Sequence, residues 1–370
     1  MSEPWPIYVV FGTRAQLIKM APVMRQLSRR GISYSLIYTG QHRESISELL
    51  EEFDLPGPDV NMVGWRQEAE TKGGFARWLV SAGWAILTGA RTVIPRPGVL
   101  LTHGDTASTV LGALLGRLSG CTVMHVEAGL RSFNIWNPFP EELCRLLTFY
   151  LSDHYLCPDG AAAANLSNYS GRKVVLGSNT LYDSVRFALE QEREPSGFSP
   201  PYVVASIHRY ENVFDRHRFE DVIMRKLRDI ARRIPVVFVL HPVTRRALMS
   251  YGLWEGMKAA QGLRLCDRMG YVDFINLIRK ADFVITDGGS NQEELSYLGV
   301  PCLLFREATE RREGLGRNVV LSEFDEAEMD DFLENYESFA VRGARPTVSP
   351  SCRAVDAIAA VAGRASPGGG

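Results

Sequence analysis

The sequence lacks a long hydrophobic run and an excess of charge of either sign. No apolar stretch reaches the roughly 20 residues of a transmembrane helix, and residues 1–6 lack the charged and apolar regions of a secretory signal. The 41 basic and 43 acidic side chains leave a formal net charge of −2, whereas nucleic-acid-binding proteins usually carry a basic excess. We therefore expect a cytoplasmic protein that has no nucleic-acid partner and does not insert into a membrane.

Sequence motifs for metals and nucleotide cofactors are also missing. The six cysteines are scattered, with no CxxC pair and no Cys/His cluster at zinc spacing, so we expect reduced, mostly buried thiols and no metal site. Neither the GxGxxG motif of dinucleotide-binding proteins nor the GxxxxGK[ST] motif of ATP-binding proteins occurs. We therefore expect no cofactor.

The sequence does contain a repeated alternation of strand-length apolar runs with segments of helical period. With 370 residues, the chain is long enough for two domains. In the first half, the predicted strands cover residues 7–11, 34–38, 99–102, 122–125 and 173–176. In the second half, they cover residues 202–207, 236–240, 283–286 and 302–305. Continuously apolar strands separated by helices indicate parallel sheets that are covered on both faces.

A charged, proline-rich stretch at residues 190–201 interrupts this alternation and marks a boundary between domains. We therefore predict an α/β protein with two Rossmann-like, doubly wound parallel-sheet domains that face a central cleft. The predicted domains cover residues 1–185 and 186–351. A last helix, at about residues 352–364, is expected to return to the first domain.

Polar side chains directly follow the predicted strands, where the ligands of open α/β sheets bind. These side chains are Arg14, His103, Asp105, Glu127, His208, His241, Asp287 and Arg306. With two sheets, we expect the site in the cleft between the domains.

Three carboxylates belong to this polar edge of the first predicted domain. Asp105 precedes one predicted helix and Glu141 begins another, so capping or the helix dipole offers each an alternative role. Glu127 lies in a turn before Ala128 and Gly129 and has no such structural explanation. The presence of all three at one edge favours a catalytic set.

Cations and glycines at two other turns suit an anionic ligand. Arg14 adds a guanidinium to the free N–H groups of a helix start, although an ordinary strand–helix turn has the same sequence pattern. His208 and Arg209 end the first strand of the second domain. At residues 288–290, a Gly-Gly-Ser turn lets backbone amides approach a diphosphate, and Glu294 can accept ribose hydroxyls.

A series of short motifs, in fixed order along most of the chain, carries a resemblance to a known family. The motifs are Phe11-Gly-Thr-Arg-x-x-x-Ile-Lys-Met-Ala-Pro22, Gly40-Gln-His-Arg43, His103-Gly-Asp-Thr106, His125-Val-Glu-Ala-Gly-Leu-Arg131, Pro140-Glu-Glu-x-x-Arg145, Asn179-Thr-x-x-Asp183, His208-Arg-x-Glu-Asn212, Gln292-Glu-Glu294 and Thr309-Glu-Arg311. From end to end, the series resembles the non-hydrolysing UDP-N-acetylglucosamine 2-epimerases.

The resemblance implies a fold and a reaction. The fold would be a GT-B-like pair of Rossmann-type domains that open and close. The reaction would interconvert UDP-GlcNAc and UDP-ManNAc without NAD. In this family the bond from C1 to UDP breaks with loss of the C2 proton, which leaves UDP and 2-acetamidoglucal on the enzyme. UDP then adds back, with C2 protonated on the other face.

The resemblance also implies roles for residues of this sequence. Asp105, Glu127 and Glu141 would be the acid/base carboxylates, and Lys19 and His208 would complete the catalytic set. The substrate-binding set would be Arg14, Arg145, His241, Tyr271, Phe274, Gly288, Gly289, Ser290, Glu294 and Arg311, with the two aromatic rings against uracil. Gln41, His42 and Arg43 match an element through which some bacterial members bind a second, regulatory UDP-GlcNAc. A homodimer is expected.

The identity of the substrate stays open at this point. Gln16 stands where the family usually has glutamate, and glutamine there resembles the branch that acts on UDP-2,3-diacetamido-glucuronate. Thr309-Glu-Arg311 and the long loop at residues 131–141 instead resemble the UDP-GlcNAc branch. A hydrolysing 2-epimerase and a non-catalytic UDP-sugar-binding regulator are further alternatives. The Glu127-Ala-Gly-Leu130 motif argues against the first, and retention of all three carboxylates argues against the second.

Overall fold

The computed structural model describes residues 4–41, 46–63, 72–136, 139–194, 197–343 and 345–363. The chain forms two compact units. The first contains residues 1–184 and 346–370, and the second contains residues 185–345. The boundary between them falls within one helix, Leu181–Glu190.

The first unit contains a seven-stranded parallel sheet in the order β3-β2-β1-β4-β5-β6-β7. The strands are β1 Ile7–Phe11, β2 Ser35–Tyr38, β3 Val60–Asn61, β4 Val99–His103, β5 Thr122–Val126, β6 His154–Cys157 and β7 Arg172–Val175. The helices are α1 Arg14–Arg29, α2 Ile46–Glu52, α3 Lys72–Val93, α4 Ala107–Leu118, α5 Glu141–Leu151, α6 Gly160–Ala164 and α7 Leu181–Glu190. Every residue of β1 and β4 is buried, as expected for strands with helices on both faces.

The C-terminal helix, Pro350–Ala362, belongs to the first unit and packs against α1. Asp183 holds its start, because one carboxylate oxygen accepts hydrogen bonds from Ser349 Oγ at 2.7 Å and from the Ser351 amide at 2.9 Å. Its last turn accepts a hydrogen bond from the Trp5 amide through the carbonyl of Ala362, at 3.2 Å. Both ends of the described chain are therefore tied into the same unit.

The second unit contains a six-stranded parallel sheet in the order β10-β9-β8-β11-β12-β13. The strands are β8 Val203–Ser206, β9 Val236–Leu240, β10 Leu263–Asp267, β11 Val284–Thr286, β12 Cys302–Leu304 and β13 Val319–Leu321. The helices are α8 Tyr210–Val213, α9 Arg225–Ala231, α10 Pro242–Ser250, α11 Trp254–Lys258, α12 Tyr271–Arg279, α13 Gly289–Leu298 and α14 Glu326–Asn335. A π-helical segment, Arg218–Met224, leads into α9, and a 3₁₀ turn, Tyr336–Phe339, follows α14.

Both sheets follow the doubly wound order in which the chain reverses direction across the sheet after its third strand. The reversal places the switch point between β1 and β4 in the first unit, and between β8 and β11 in the second. The prediction of two Rossmann-like parallel sheets is confirmed. Among the described residues, no helix is long and apolar enough to cross a membrane.

The cysteines are free thiols, and most of them are buried. Burial raises the pKa of Cys157 to about 12, and the nearby charge of Asp159 adds to this effect. Burial also raises the pKa of Cys302. These thiols therefore stay protonated at physiological pH and behave as small apolar core residues.

Candidate functional site

The predicted site residues of the first unit gather at the carboxyl ends of β1, β4 and β5, beside the switch point of the sheet. Arg14 starts α1, Asp105 follows β4, Glu127 follows β5 and Glu141 starts α5. A Cβ atom on Gly104, the neighbour of Asp105, would lie 3.4 Å from Glu127 Oε2. Arg145 donates to both Asp105 and Glu142, the neighbour of Glu141. The three carboxylates therefore occupy one neighbourhood.

Glu127 is a buried carboxylate surrounded by donors. Lys19 Nζ and Asn179 Nδ2 each donate to Glu127 Oε1 at 2.5 Å, and His103 Nε2 lies 3.6 Å from Glu127 Oε2. The backbone of Glu127 has φ of 62°, in the left-handed region that side-chain-bearing residues rarely adopt. Such strain is retained where the surrounding contacts require one side-chain position. The structure thus places Lys19 directly on a catalytic candidate.

Asp105 is held by Arg145, whose Nη2 and Nε donate to Asp105 Oδ2 at 2.6 and 3.0 Å. The turn before Asp105 is held by His125, whose Nε2 donates to the Gly104 carbonyl at 2.7 Å. Burial lowers the pKa of His125 to about 4, so the ring is neutral at physiological pH. His125 is therefore a support for the turn that carries Asp105.

Glu142 connects two arginines at this site, and its role was not predicted. Its fully buried carboxylate accepts a hydrogen bond from Arg131 Nε, one from the Ser132 amide at 3.0 Å, and one from Arg145 Nη1 at 3.1 Å. Burial opposes ionisation of Glu142, but the hydrogen bonds from Arg131, Ser132 and Arg145 outweigh it, and the pKa of Glu142 is lowered. The acidic pair Glu141-Glu142 is visible in the sequence, but the resemblance implies a role for Glu141 alone.

We expect Glu142→Gln to lower the free energy of unfolding by about 3–5 kcal/mol at pH 7, because it leaves buried charge without its partner. The folded-state pKa lies below the unfolded value, so the stability is present above about pH 4.3 and is lost as the pH falls through the folded pKa. Urea unfolding at pH 7 and below pH 4 tests this: the difference from the wild type should shrink in acid. Glu48→Gln, at an exposed position of α2, is the control.

The turn between β1 and α1 is packed closely against α4. A Cβ atom on Gly12 would lie 2.0 Å from Ser108 Oγ, so only glycine fits there. Ser108 Oγ donates to Gln41 Oε1 at 2.6 Å, which places the buried Gln41 beside the same turn. Of the expected regulatory residues, His42 and Arg43 lie outside the described residues.

In the second unit, the predicted residues gather beside the switch point between β8 and β11. His208 follows β8 and stacks on His241, with ring centroids 4.7 Å apart. The fully buried Asp287, after β11, accepts hydrogen bonds from the amides of His208 at 3.0 Å and Arg209 at 2.9 Å, and from Asn212 Nδ2 at 3.0 Å. The sequence places Asp287 directly after a predicted strand, but it does not indicate that this carboxylate holds the His208 segment.

The start of α13 lies against His208 and Arg311. A Cβ on Gly288 would lie 2.8 Å from His208 Cε1, and a Cβ on Gly289 would lie 3.0 Å from Arg311 Nε. Arg311 Nη1 in turn donates to Glu293 Oε2 at 2.6 Å. A helix start with two cationic or ionisable donors over its first amides is an anion-binding arrangement.

The remaining predicted residues differ in accessibility. Ser290 and Phe274 are partly exposed, whereas Tyr271 is only 3% exposed and its ring packs into the core at the start of α12. Of the two aromatics expected against uracil, Phe274 offers the accessible ring. Glu294 is buried and accepts a hydrogen bond from Asn291 Nδ2 at 2.9 Å.

Comparison with known proteins finds similarity to UDP-sugar 2-epimerases. A family model described as UDP-N-acetylglucosamine 2-epimerase matches residues 25–345. The UDP-N-acetylglucosamine 2-epimerase of Methanocaldococcus jannaschii is 30% identical over 333 residues, which covers 85% of this chain and 88% of that protein. The UDP-2,3-diacetamido-2,3-dideoxy-D-glucuronate 2-epimerase of Pseudomonas aeruginosa is 31% identical over 315 residues, which covers 82% and 84%.

Solved structures agree in fold. The crystal structure of the Methanocaldococcus jannaschii UDP-GlcNAc 2-epimerase in complex with UDP-GlcNAc and UDP is 26% identical, with a TM-score of 0.82, and covers 95% of this chain and 99% of that one. MurG of Acinetobacter baumannii is 13% identical with a TM-score of 0.50 over 95% of this chain and 98% of that one, a likeness in fold alone. The GT-B-like fold expected from the sequence is confirmed.

Proposed function

Because this chain belongs to the UDP-N-acetylglucosamine 2-epimerase family, we propose that it interconverts UDP-GlcNAc and UDP-ManNAc by the non-hydrolysing route. It would act in the cytoplasm and supply ManNAc units for a polysaccharide or another glycoconjugate. The observation that carries the proposal is the grouping of Asp105, Glu127 and Glu141 at the carboxyl ends of β4 and β5 and the start of α5. Elimination and re-addition of UDP involve no hydride transfer, so this route requires no nicotinamide.

The chemistry explains why carboxylates and cations are both needed. The C2 hydrogen is not adjacent to a carbonyl, so a base alone would not remove it. Departure of UDP must therefore precede loss of the C2 proton. The C1–O bond breaks, its electron pair leaves with the diphosphate, and positive charge develops at C1. A carboxylate then takes the C2 proton, and the C1–C2 double bond of 2-acetamidoglucal forms.

The second half of the reaction reverses these steps, but C2 is protonated on the other face of the sugar. A carboxylic acid delivers a proton to C2, and a diphosphate oxygen of UDP attacks C1. We assign proton transfer at C2 and stabilisation of the charge at C1 to Asp105, Glu127 and Glu141. We assign binding of the diphosphate to the start of α13 with His208 and Arg311. Each well-placed electrostatic donor contributes roughly 10²- to 10³-fold to such a step.

Lys19 and Arg145 fit this assignment as partners of the carboxylates. Lys19 donates to Glu127 and Arg145 donates to Asp105. Both cations lie on carboxylates that would face positive charge at C1. Neutralising these carboxylates by substitution would therefore remove charge stabilisation along with proton transfer.

A modified UDP-sugar is the second candidate substrate, supported by the 31% identical UDP-2,3-diacetamido-glucuronate epimerase. The sequence feature behind this alternative is Gln16. Its amide makes four hydrogen bonds within the protein, so a sugar substituent would have to displace one of them. This favours UDP-GlcNAc.

Incubation of the purified protein with UDP-GlcNAc in D₂O, followed by ¹H NMR, tests the proposal. Deuterium at C2 together with UDP-ManNAc is the expected result. Free ManNAc and UDP would instead indicate a hydrolysing enzyme. No exchange with UDP-GlcNAc, but exchange with UDP-2,3-diacetamido-glucuronate, would identify the second candidate. Binding of UDP-GlcNAc with no turnover of either sugar would indicate a regulator.

We also propose that the protein is a homodimer, formed through an apolar face on α3 and α5. Val80, Trp84 and Leu87 repeat at helical spacing on α3 and are 68–73% exposed. On α5, Leu143, Leu147 and Tyr150 repeat at the same spacing and are 39–75% exposed. Rows of exposed apolar side chains mark association sites, and a stable dimer needs about 800 Å² from each partner.

We expect Trp84→Asp to convert the dimer to a monomer, because it places a charge at the centre of this apolar face. Sedimentation velocity at micromolar concentration measures the change. Phe214→Asp is the matched control, since Phe214 is 63% exposed but belongs to the second unit. A dimer that survives Trp84→Asp would contradict this interface, and a monomeric wild type would contradict the dimer itself.

A further inference from the structure

Gln16 occupies the first turn of α1 and is almost completely buried, with 2% of its surface exposed. Its Oε1 accepts hydrogen bonds from the amides of Gly12 at 2.9 Å and Thr13 at 3.2 Å. Its Nε2 donates to the carbonyl of His103 at 2.7 Å and to Thr109 Oγ1 at 3.0 Å. Both ends of the amide are therefore used by the protein.

These four bonds cross the switch point of the first sheet. Gly12 and Thr13 lie after β1 and lead into the helix that carries Lys19. His103 ends β4, two residues before Asp105, and Thr109 lies in the first turn of α4. One side chain thus joins the turn that leads into the helix of Lys19 to the segment between β4 and α4 that carries Asp105.

We propose that Gln16 is a positioning residue, which uses its amide to hold the β1–α1 turn against the end of β4 and so fixes Lys19 relative to Asp105. This inference rests on the proposed function. Gln16 would act through these neighbours without touching the sugar.

The hydrogen-bond partners of this position in this chain favour an amide. The two groups that face Nε2 are both acceptors, because Thr109 Oγ1 donates its own hydrogen to the His103 carbonyl at 2.7 Å. A glutamate of the same size would satisfy the Gly12 and Thr13 amides with one oxygen. Its other oxygen would face the His103 carbonyl and could bond to it only when protonated.

Gln16→Glu is therefore expected to make the site sensitive to pH. The charged and titratable groups on the segments around Gln16 are Arg14 and Lys19 in the first half of α1, His103 and Asp105 at the end of β4, and Glu127 after β5. The cations oppose a rise in the pKa of the new carboxyl group. Burial and the facing acceptors favour the protonated form, and at this buried position we expect them to prevail.

The test is the pH profile of kcat and KM for UDP-GlcNAc, from about pH 5.5 to about pH 8.5, a window that brackets a raised carboxyl pKa. For Gln16→Glu, we expect kcat near the wild-type value at the acid end and at least about 10-fold below it at the alkaline end, with KM unchanged. Gln26→Glu is the matched control: the same change on the same helix, at a half-buried position, with a wild-type profile. A constant ratio of mutant to wild-type kcat across this range would overturn the proposal, as would a rise in KM alone, which would indicate direct contact with the substrate.

Thermal unfolding without substrate provides a readout that does not depend on the function. The Tm of Gln16→Glu should fall below that of the wild type by about 4 °C or more as the pH rises, because a raised folded-state pKa gives stability that is lost with increasing pH. Gln16→Met fills the space without making hydrogen bonds. It should lower Tm by the same amount, and kcat by the same factor, at every pH. If the wild type does not turn over UDP-GlcNAc, the proposed function fails. The dependence of Tm on pH still tests the positioning role of Gln16. A difference in Tm between Gln16→Glu and the wild type that does not change with pH would overturn that role.

Discussion

Replacing Asp105 with asparagine is expected to lower kcat by at least about 100-fold while UDP still binds. Arg145 contacts the Asp105 carboxylate through two nitrogens, so the side chain is held in place and asparagine fits the same space. The substitution removes the negative charge and the proton acceptor. The diphosphate contacts that we assign to α13, His208 and Arg311 belong to the other unit and are unchanged. Steady-state kinetics with UDP-GlcNAc and calorimetric titration with UDP measure the two quantities.

Asp153→Asn is the matched control for this experiment. Asp153 is also paired with an arginine, Arg117, at 2.8 Å, and its side chain is 31% exposed, compared with 28% for Asp105. It lies at the start of β6, away from the candidate site, so kcat should not change. Glu127→Gln and Glu141→Gln should each behave like Asp105→Asn. An equal loss of UDP affinity in all three variants would show instead that the carboxylates are structural.

Adding one methyl group at Gly288 is expected to lower kcat/KM by about 100-fold, because it displaces a catalytic candidate. The new Cβ of Gly288→Ala would lie 2.8 Å from His208 Cε1 and 2.8 Å from Asn291 Oδ1. The backbone of Gly288, with φ of −82° and ψ of 125°, accepts alanine without strain. The imidazole must therefore move by a large fraction of an ångström, and misplacements of this size cost about 10²-fold in enzymes.

Gly256→Ala provides the comparison within the same unit. Gly256 lies in α11, and a Cβ there would meet no atom within 4 Å. Its kcat/KM should equal that of the wild type, and its Tm should stay the same or rise slightly, since alanine favours helix. If Gly288→Ala also has wild-type activity, His208 does not need its position over the start of α13.

Most inner strands of both sheets could be predicted from the sequence, although β6 was missed, and of the four edge strands only β7 was predicted. All residues of β1, β4 and β9 are buried, and each strand contains an apolar run that can be recognised in the sequence. The unpredicted β3 and β10 lie at sheet edges and expose part of their surface to water. Polar residues are tolerated at such positions, and the apolar pattern on which prediction depends is lost.

The candidate site shows a similar division. The residues at strand ends, such as Asp105, Glu127 and His208, were identified because parallel strands bring their carboxyl ends to one edge. The supporting residues Glu142 and Asp287 were not identified as such. Their roles depend on hydrogen bonds across the fold, from Arg145 in one case and from the His208 segment in the other. Sequence spacing does not specify such contacts, and the roles of both groups stay predictions.

The return of the C-terminal helix to the first unit bears on how the protein is made. During translation, residues 185–345 leave the ribosome as one uninterrupted stretch, and domains generally fold as units while the chain emerges. The second unit can therefore complete its core first. At that moment the first unit, although synthesised earlier, still lacks Ser349 and Ser351 against Asp183 and the packing of the last helix against α1. The part of the protein that carries the carboxylates is completed last.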